Sequence, residues 1–294
     1  MVKIAIMGYG TVGSGVYEMI KENDYKEEAM SPIMVKYILD IRDFPDHPEK
    51  EIFTKDFQEI LADGEIYCAV EAMGGLHPAY EFTKALLEKG VNVVTSNKEL
   101  VAAYGPELLT IAKEKNVNYL FEASVGGGIP IIKPMCSSLK PNRVENIMGI
   151  LNGTTNYILT EMINKNKDFS EALSDAQAKG YAERNPAADV EGHDACRKLA
   201  ILSSLAWGSY VDYSDIVTEG ITEITLDDVK YAEMLGYVIK LIGYAEKKDK
   251  IFARVSPMLV PKGHPLSGVD DVFNAIVVEG NYLGTTMFYG KGAG

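Results

Sequence analysis

Asp194 and Lys198 stand four residues apart in the stretch Glu191–Trp207, whose apolar residues recur at helical spacing, so the two side chains share one helix face. Leu199, Leu202 and Ala206 mark the opposite, core-facing stripe. On a solvated helix such a pair is an ordinary ion pair that contributes little. In a partly closed site the same lysine is a proton donor, because desolvation lowers its pKa into the range useful for general acid chemistry. Carbonyl reduction is the reaction class that needs such a donor together with a hydride. An amino-acid substrate further needs carboxylates for its ammonium group and a cation for its carboxylate. Glu183, Asp194, Lys98 and Lys198 are residues of those types.

A hydride carrier needs its own seat. Gly8-Tyr9-Gly10-Thr11-Val12-Gly13 follows the first apolar run and opens an amphipathic stretch. The first glycine permits a tight turn, the second lets backbone approach a pyrophosphate, and the third lets helix and strand pack closely. The helix N-terminus then faces the phosphates. Without a ligand the same loop is simply a tight turn. The second strand ends Leu39-Asp40-Ile41-Arg42. An acid there holds a ribose 2′-hydroxyl and an arginine pairs with a 2′-phosphate. In an extended strand positions i and i+2 share a side, so Asp40 and Arg42 compete. Gly74-Gly75 stands where a loop passes the cofactor at the carboxyl edge of a parallel sheet, although a plain turn explains that pair equally well.

These residues are positioned by two kinds of pattern. Apolar runs at Val2–Met7, Met34–Leu39, Ile66–Met73, Val91–Thr95 and Asn118–Phe121 alternate with helical stretches at Thr11–Glu22, Pro78–Lys89 and Lys98–Glu114. A polar insertion, Lys21–Ser31, precedes the second run. Strands alternating with helices predict a parallel, doubly wound sheet. After about Pro134 the pattern becomes α+β. A long strand, Arg143–Leu151, is followed by helices at Thr155–Lys165, Ser170–Gly180 and Glu191–Trp207. Thr225 caps a further helix to about Leu235, and strands follow near Ile251–Val260, Val272–Val278 and Thr285–Tyr289.

Composition narrows the function. The 294 residues are 47% hydrophobic and carry a net charge of −13, with no basic block, so nucleic acid and anionic membranes are not expected partners. No apolar segment approaches the ~20 residues needed to span a bilayer, and no signal-like segment opens the chain. A cytoplasmic protein with a small-molecule substrate is expected. Cys68, Cys136 and Cys196 have no paired spacing and read as three small buried thiols in a reducing compartment. His193, alone at a helix start, reads as structural or surface-exposed.

Four further stretches are more specific. They are Ser96-Asn97-Lys98-Glu99-Leu100, Glu122-Ala123-Ser124-Val125-Gly126-Gly127-Gly128-Ile129-Pro130, Gly149-Ile150-Leu151-Asn152-Gly153-Thr154-Thr155-Asn156, and Asp189-Val190-Glu191-Gly192-His193-Asp194-Ala195-Cys196-Arg197-Lys198-Leu199. In this order, with the N-terminal glycine loop, the whole chain resembles the homoserine dehydrogenase family. The resemblance implies a Rossmann-like nucleotide-binding domain over 1–133, with 286–294 returning to it, and an α+β substrate and dimerisation domain over 134–285. It implies NAD(P)H-dependent reduction of L-aspartate 4-semialdehyde to L-homoserine, in threonine, methionine and isoleucine biosynthesis, by a homodimer.

The resemblance also assigns roles. Lys198 matches the proton donor and Lys98 the lysine that orients the substrate. Glu183 and Asp194 match the substrate-amino contacts, and Asp189 a further acid of the pocket. The cofactor contacts become Gly8, Tyr9, Gly10, Thr11, Val12, Gly13, Arg42, Gly74, Ser96, Lys98, Gly180 and Gly292. Arg42 matches the family's 2′-phosphate contact, which tilts the expectation towards NADP over NAD. Glu122 and the carbonyls of Val125, Gly127 and Ile129 match a sodium or potassium site, and oxygen-only coordination suits a hard cation. A glycine loop that merely avoids crowding is the simpler account of the same residues. The chain ends on a glycine run, Gly290 to Gly294, which in the family precedes a helix that packs back on the nucleotide domain. A truncated C-terminus, without the regulatory domain of longer members, is therefore expected. The rival readings are another two-domain amino-acid dehydrogenase, or a nucleotide-binding protein without catalysis.

Overall fold

Residues 1–22 and 32–292 are described by the computed structural model, and the chain divides into two units, Met1–Ser124 and Val125–Gly294. Most of the polar insertion expected at Lys21–Ser31 lies outside the described residues.

In the first unit the apolar runs form strands and the amphipathic stretches form helices. In chain order these are β1 (Val2–Met7), α1 (Thr11–Glu22), β2 (Ile33–Leu39), β3 (Phe53–Thr54), α2 (Phe57–Ala62), β4 (Ile66–Glu71), α3 (Ala79–Lys89), β5 (Asn92–Thr95), α4 (Lys98–Lys115) and β6 (Tyr119–Leu120). All described pairings are parallel, in the order β3-β2-β1-β4-β5-β6. Chain direction reverses its spread between β1 and β4, and the crevice at the carboxyl ends of those two strands is where such sheets take ligands. Ile4, Ile6, Val35 and Ile38 from β1 and β2 pack on Tyr17 of α1, so the helix that follows the glycine loop is fixed by its own buried face. β3 and α2 were not expected, being too short to display a period; Asp56 caps α2 by accepting from Gln58 N.

The second unit contains α5 (Ile132–Cys136), β7 (Val144–Ile150), α6 (Gly153–Lys165), α7 (Phe169–Ala178), α8 (Ala187–Val190), α9 (His193–Trp207), β8 (Val217–Thr218), α10 (Leu226–Met234), β9 (Tyr237–Lys247), β10 (Ile251–Pro261), β11 (Phe273–Gly280) and β12 (Gly284–Lys291). Its sheet runs β12-β11-β7-β9-β10-β8 and is mixed, with β8 parallel to β10 and the other described pairs antiparallel. Ile150, Ile242, Val260, Leu266, Val269, Ala275 and Val277 form its core. Thr225 caps α10 in a reciprocal box with Asp228, as its position suggested.

Four expectations need correction. The division falls at 124/125 rather than 133/134, because α5 packs against α9 within the second unit. Residues 284–291 pair with β11 along the edge of the second sheet, where the resemblance had the chain from 286 returning to the first domain. The helix expected at Glu191–Trp207 starts two residues later, at His193, and a separate short helix, α8, precedes it across Gly192 in the left-handed conformation (φ 85°). Cys136 is exposed, so only two of the three thiols, Cys196 fully and Cys68 partly, are covered. β9 is hidden in the sequence. It starts directly after Gly236 (φ 82°) stops α10, and Lys240 interrupts its apolar run. That lysine is 1% exposed and donates to Asn156 Oδ1, Val269 O and Asp270 Oδ1. A buried, fully bonded cation in a central strand has the sequence signature of a surface residue.

Candidate active site

Gly8 turns the chain after β1 with φ 96°, and a Cβ there would stand 2.7 Å from Ala72 O. A Cβ on Gly13 would lie 1.9 Å from Gly8 O, so α1 can approach the loop only without one. Gly10 differs, since a Cβ would meet nothing within 4 Å. Protein packing therefore explains the first and third glycines, and the second faces open space suited to the close approach of a pyrophosphate. Thr11 and Val12 are exposed at the start of α1, where the unpaired amides of a helix face outward. The residues present thus fit a dinucleotide.

Asp40 and Arg42 are partners, not rivals. β2 ends at Leu39, so the alternation of an extended strand does not reach them. Arg42 donates through Nε to Asp40 Oδ1 (3.0 Å) and through Nη2 to Asp40 Oδ2 (2.9 Å), and Nη2 also reaches Tyr9 O (2.8 Å). Asp40 accepts in addition from Tyr9 N and Arg42 N. The Arg42 side chain beside it holds the Asp40 carboxyl down to about 2. The arginine stays 56% exposed while its partner is buried.

Two loops at the carboxyl edge of the same sheet are tied by a buried network that the sequence reading did not anticipate. Glu71 is fully buried and accepts from Met73 N (2.8 Å) and Thr95 Oγ1 (2.5 Å). Thr95 Oγ1 accepts from Asn97 N, and Asn97 Nδ2 donates to Gly75 O (2.6 Å). Asn97 Oδ1 meanwhile caps α4 through Leu100 N. The network fixes Gly74 and Gly75, both at positive φ, relative to Ser96 and to Lys98 at the first position of α4.

In the second unit the β7–α6 junction meets the start of α9. Lys198 Nζ donates to Asp194 Oδ2 (2.7 Å) and to Leu151 O (2.8 Å). The lysine side chain is 11% exposed and its partner 4%, so this is not the solvated helix pair that spacing alone would allow. Two of the three ammonium donors are engaged, which leaves one N–H for a further acceptor. Asp194 lies in the first turn of α9, where the helix dipole favours a carboxylate. Asn152 Nδ2 bridges Asp194 Oδ2 (2.9 Å) and Asp189 Oδ1 (2.7 Å). Burial, then the Asp194 charge, pushes the Asp189 carboxyl above its ordinary value, against the lowering effect of the Asn152 amide. Asn152 was legible in the sequence only as one residue of the stretch Gly149–Asn156.

Not every expected residue joins this cluster. Glu183 is exposed in the turn between α7 and α8, and its carboxylate makes no hydrogen bond among the described residues. Gly180, at φ 76°, has open space where a Cβ would stand. Gly292 lies against Asn274, whose Nδ2 would be 2.0 Å from an added Cβ, so close packing already accounts for that glycine. Glu122 belongs to the first unit, and Val125, Gly127 and Ile129 to the second. Gly126 and Gly127 turn the backbone with φ 77° and 56°, and Ile129 N donates to Gly126 O. No group of three His, Cys, Asp or Glu side chains converges among the described residues. His193 is exposed and bonds Glu191. No described helix is long and apolar enough to cross a membrane.

Known proteins share this arrangement across the whole chain. Residues 8–122 match the family described as homoserine dehydrogenase, NAD binding domain, and residues 130–294 match homoserine dehydrogenase. The homoserine dehydrogenase of Synechocystis is 44% identical over 303 residues, covering all of this chain and 70% of the relative. The solved homoserine dehydrogenase of Thiobacillus denitrificans superposes with a TM-score of 0.93 at 40% identity, over all of this chain and 69% of that one. A hyperthermophilic archaeal homoserine dehydrogenase solved in complex with NADPH gives 0.85 at 29% identity, over all of this chain and 92% of that one. A dinucleotide-type glycine loop, a doubly wound sheet and a buried Lys–Asp pair beside a second acid thus occur together in a chain whose relatives named above are homoserine dehydrogenases. The chain belongs to the homoserine dehydrogenase family, NAD(P)-dependent oxidoreductases.

Proposed function

We propose that the protein reduces L-aspartate 4-semialdehyde to L-homoserine and that Lys198 gives the proton to the carbonyl oxygen. The observation that carries this reading is the Lys198 ammonium, anchored by Asp194 and Leu151 O with one N–H to spare. Asp194 and the Leu151 carbonyl together keep the ammonium from swinging away. Asp189, Asp194 and the uncommitted carboxylate of Glu183 suit the substrate ammonium, and Lys98 suits its carboxylate. The nicotinamide supplies the hydride when bound. Gly8 to Gly13, Gly74, Ser96, Lys98 and Gly180 are the contacts assigned to that cofactor.

NADPH is the favoured carrier. The Asp40 carboxylate is already saturated by Arg42 and Tyr9, which leaves it poorly placed to accept a ribose hydroxyl. The exposed guanidinium keeps its charge and its Nη1 N–H groups for a 2′-phosphate. The NADPH complex of an archaeal relative supports the same choice. A sodium or potassium ion held by Glu122 and the carbonyls of Val125, Gly127 and Ile129, a homodimer formed through the second sheet, a cytoplasmic location and a role in threonine, methionine and isoleucine synthesis complete the reading. The test is a substrate panel followed at the nicotinamide absorbance band. Rapid oxidation of NADPH with aspartate semialdehyde alone is expected; a preference for another carbonyl compound would point to a different amino-acid dehydrogenase.

A further inference from the structure

Asn152 is 5% exposed and every polar group of its side chain is engaged. Its Oδ1 accepts from Thr155 N (2.9 Å) and Thr155 Oγ1 (3.1 Å), capping α6. Its Nδ2 spends both N–H groups on carboxylates, one to Asp189 on α8 and one to Asp194 on α9. The orientation of this amide is dictated by chemistry. Turned over, it would set an NH2 against the Thr155 N–H and an oxygen against two carboxylates, losing the cap bond and both bonds to the acids. The α6 terminus therefore aims two donors at the acids, and the acids cannot rearrange without breaking the cap.

We propose that Asn152 is a positioning residue of the reaction: its capped amide sets where the Asp189 and Asp194 carboxylates stand, and through Asp194 it aims the Lys198 ammonium. This rests on the reading of Lys198 as proton donor. Two carboxylates converging in a buried site repel each other, and the positive end of the amide dipole between them relieves that repulsion. The groups facing Asp189 are the Asn152 amide and Thr154 from α6, and Asp194 and Lys198 from α9. Lys198 touches Asp194 and the carbonyl of Leu151, the residue preceding Asn152, so one junction holds the base of the cluster from two sides. Without the amide the carboxylates diverge or one of them takes up a proton, and the substrate ammonium loses a partner.

A simple helix cap would leave the acids to themselves, and two variants separate the roles. Asn152→Ser keeps an N-cap oxygen but lacks the two amide N–H groups that reach the acids, whereas Asn152→Ala lacks both. The proposal expects kcat/KM for aspartate semialdehyde to fall by about tenfold or more in each variant, by similar factors, with NADPH affinity unchanged. Only Asn152→Ala should show a clearly lower Tm. The acid limb of the kcat/KM profile should move to higher pH in both, and carboxylate NMR titration of Asp189 should move the same way without substrate present. Activity losses that follow Tm, or an Asp189 titration unmoved by Asn152→Ser, overturn the proposal. A wild type inert towards the semialdehyde, with the Asp189 shift intact, would refute the reaction assigned above while upholding the amide's hold on the acids.

Discussion

Arg42 closes a two-point hydrogen-bonded pair with Asp40 and at the same time donates to the carbonyl of Tyr9, the residue inside the glycine loop. One arginine thereby joins the end of β2 to the loop that would receive the pyrophosphate, and the acid beside it is consumed in the joining.

Cofactor choice follows from that pair. Arg42→Ala should weaken NADPH by about 1–3 kcal/mol, the scale of a lost charge-assisted hydrogen bond, and leave NADH nearly unchanged. The freed Asp40 carboxylate adds repulsion against a 2′-phosphate and none against a 2′-hydroxyl. Fluorescence titration of wild type and Arg42→Ala with both cofactors checks this. Equal losses would mean that the arginine serves only to hold the loop.

The glycines make a second, sharper test. Gly10→Ala adds a methyl group where the protein has no atom within 4 Å, so Tm should stay within a degree or two while NADPH affinity drops by about tenfold or more. Gly13→Ala forces a Cβ into Gly8 O and should lower Tm by several degrees, the effect of overpacking by ~1–3 kcal/mol. If Gly10→Ala binds NADPH normally, the loop does not receive the pyrophosphate.

Glu183→Gln should raise KM for the semialdehyde and spare cofactor affinity, because a carboxylate with no partner of its own among the described residues is available to an ammonium group. Steady-state kinetics with each substrate varied in turn decides it. A comparable rise in both constants would place Glu183 in support of the turn it occupies.

Asp189 carries a stability cost with a defined pH dependence. Its folded pKa lies above the ordinary 3.8, so the unfolded chain ionises first and the fold loses stability as pH rises from 3.8 through the raised value. Asp189→Asn removes that loss. The variant and the wild type should melt alike near pH 4, and the variant should melt higher at pH 7 while its KM for the semialdehyde increases. Parallel melting curves at both pH values would show that the carboxylate is not destabilising where it stands.

The sequence reading succeeded where one element speaks for itself. β1, the glycine loop and α1 declare themselves by an apolar run, glycine spacing and helical periodicity, and Asp194 and Lys198 by their four-residue step. It failed where the meaning of a residue depends on a distant partner. Lys240 hid β9 because its burial is compensated by Asn156, Val269 and Asp270, up to 84 residues away. Asn152 meets acids 37 and 42 residues further on, and Glu71 meets Thr95 across the sheet. Asp40 and Arg42 were misjudged for the opposite reason: the strand rule was applied to residues one and three positions beyond the end of the strand.

The central claim is that Lys198 delivers the proton in semialdehyde reduction. The most direct measurement compares single-turnover rates of NADPH oxidation for wild type and Lys198→Ala at saturating aspartate semialdehyde, with NADPH affinity measured on the same samples. The account predicts a fall of about 100-fold or more in the chemical step, the usual contribution of a general acid, at unchanged NADPH affinity. A near-normal rate in Lys198→Ala would contradict it.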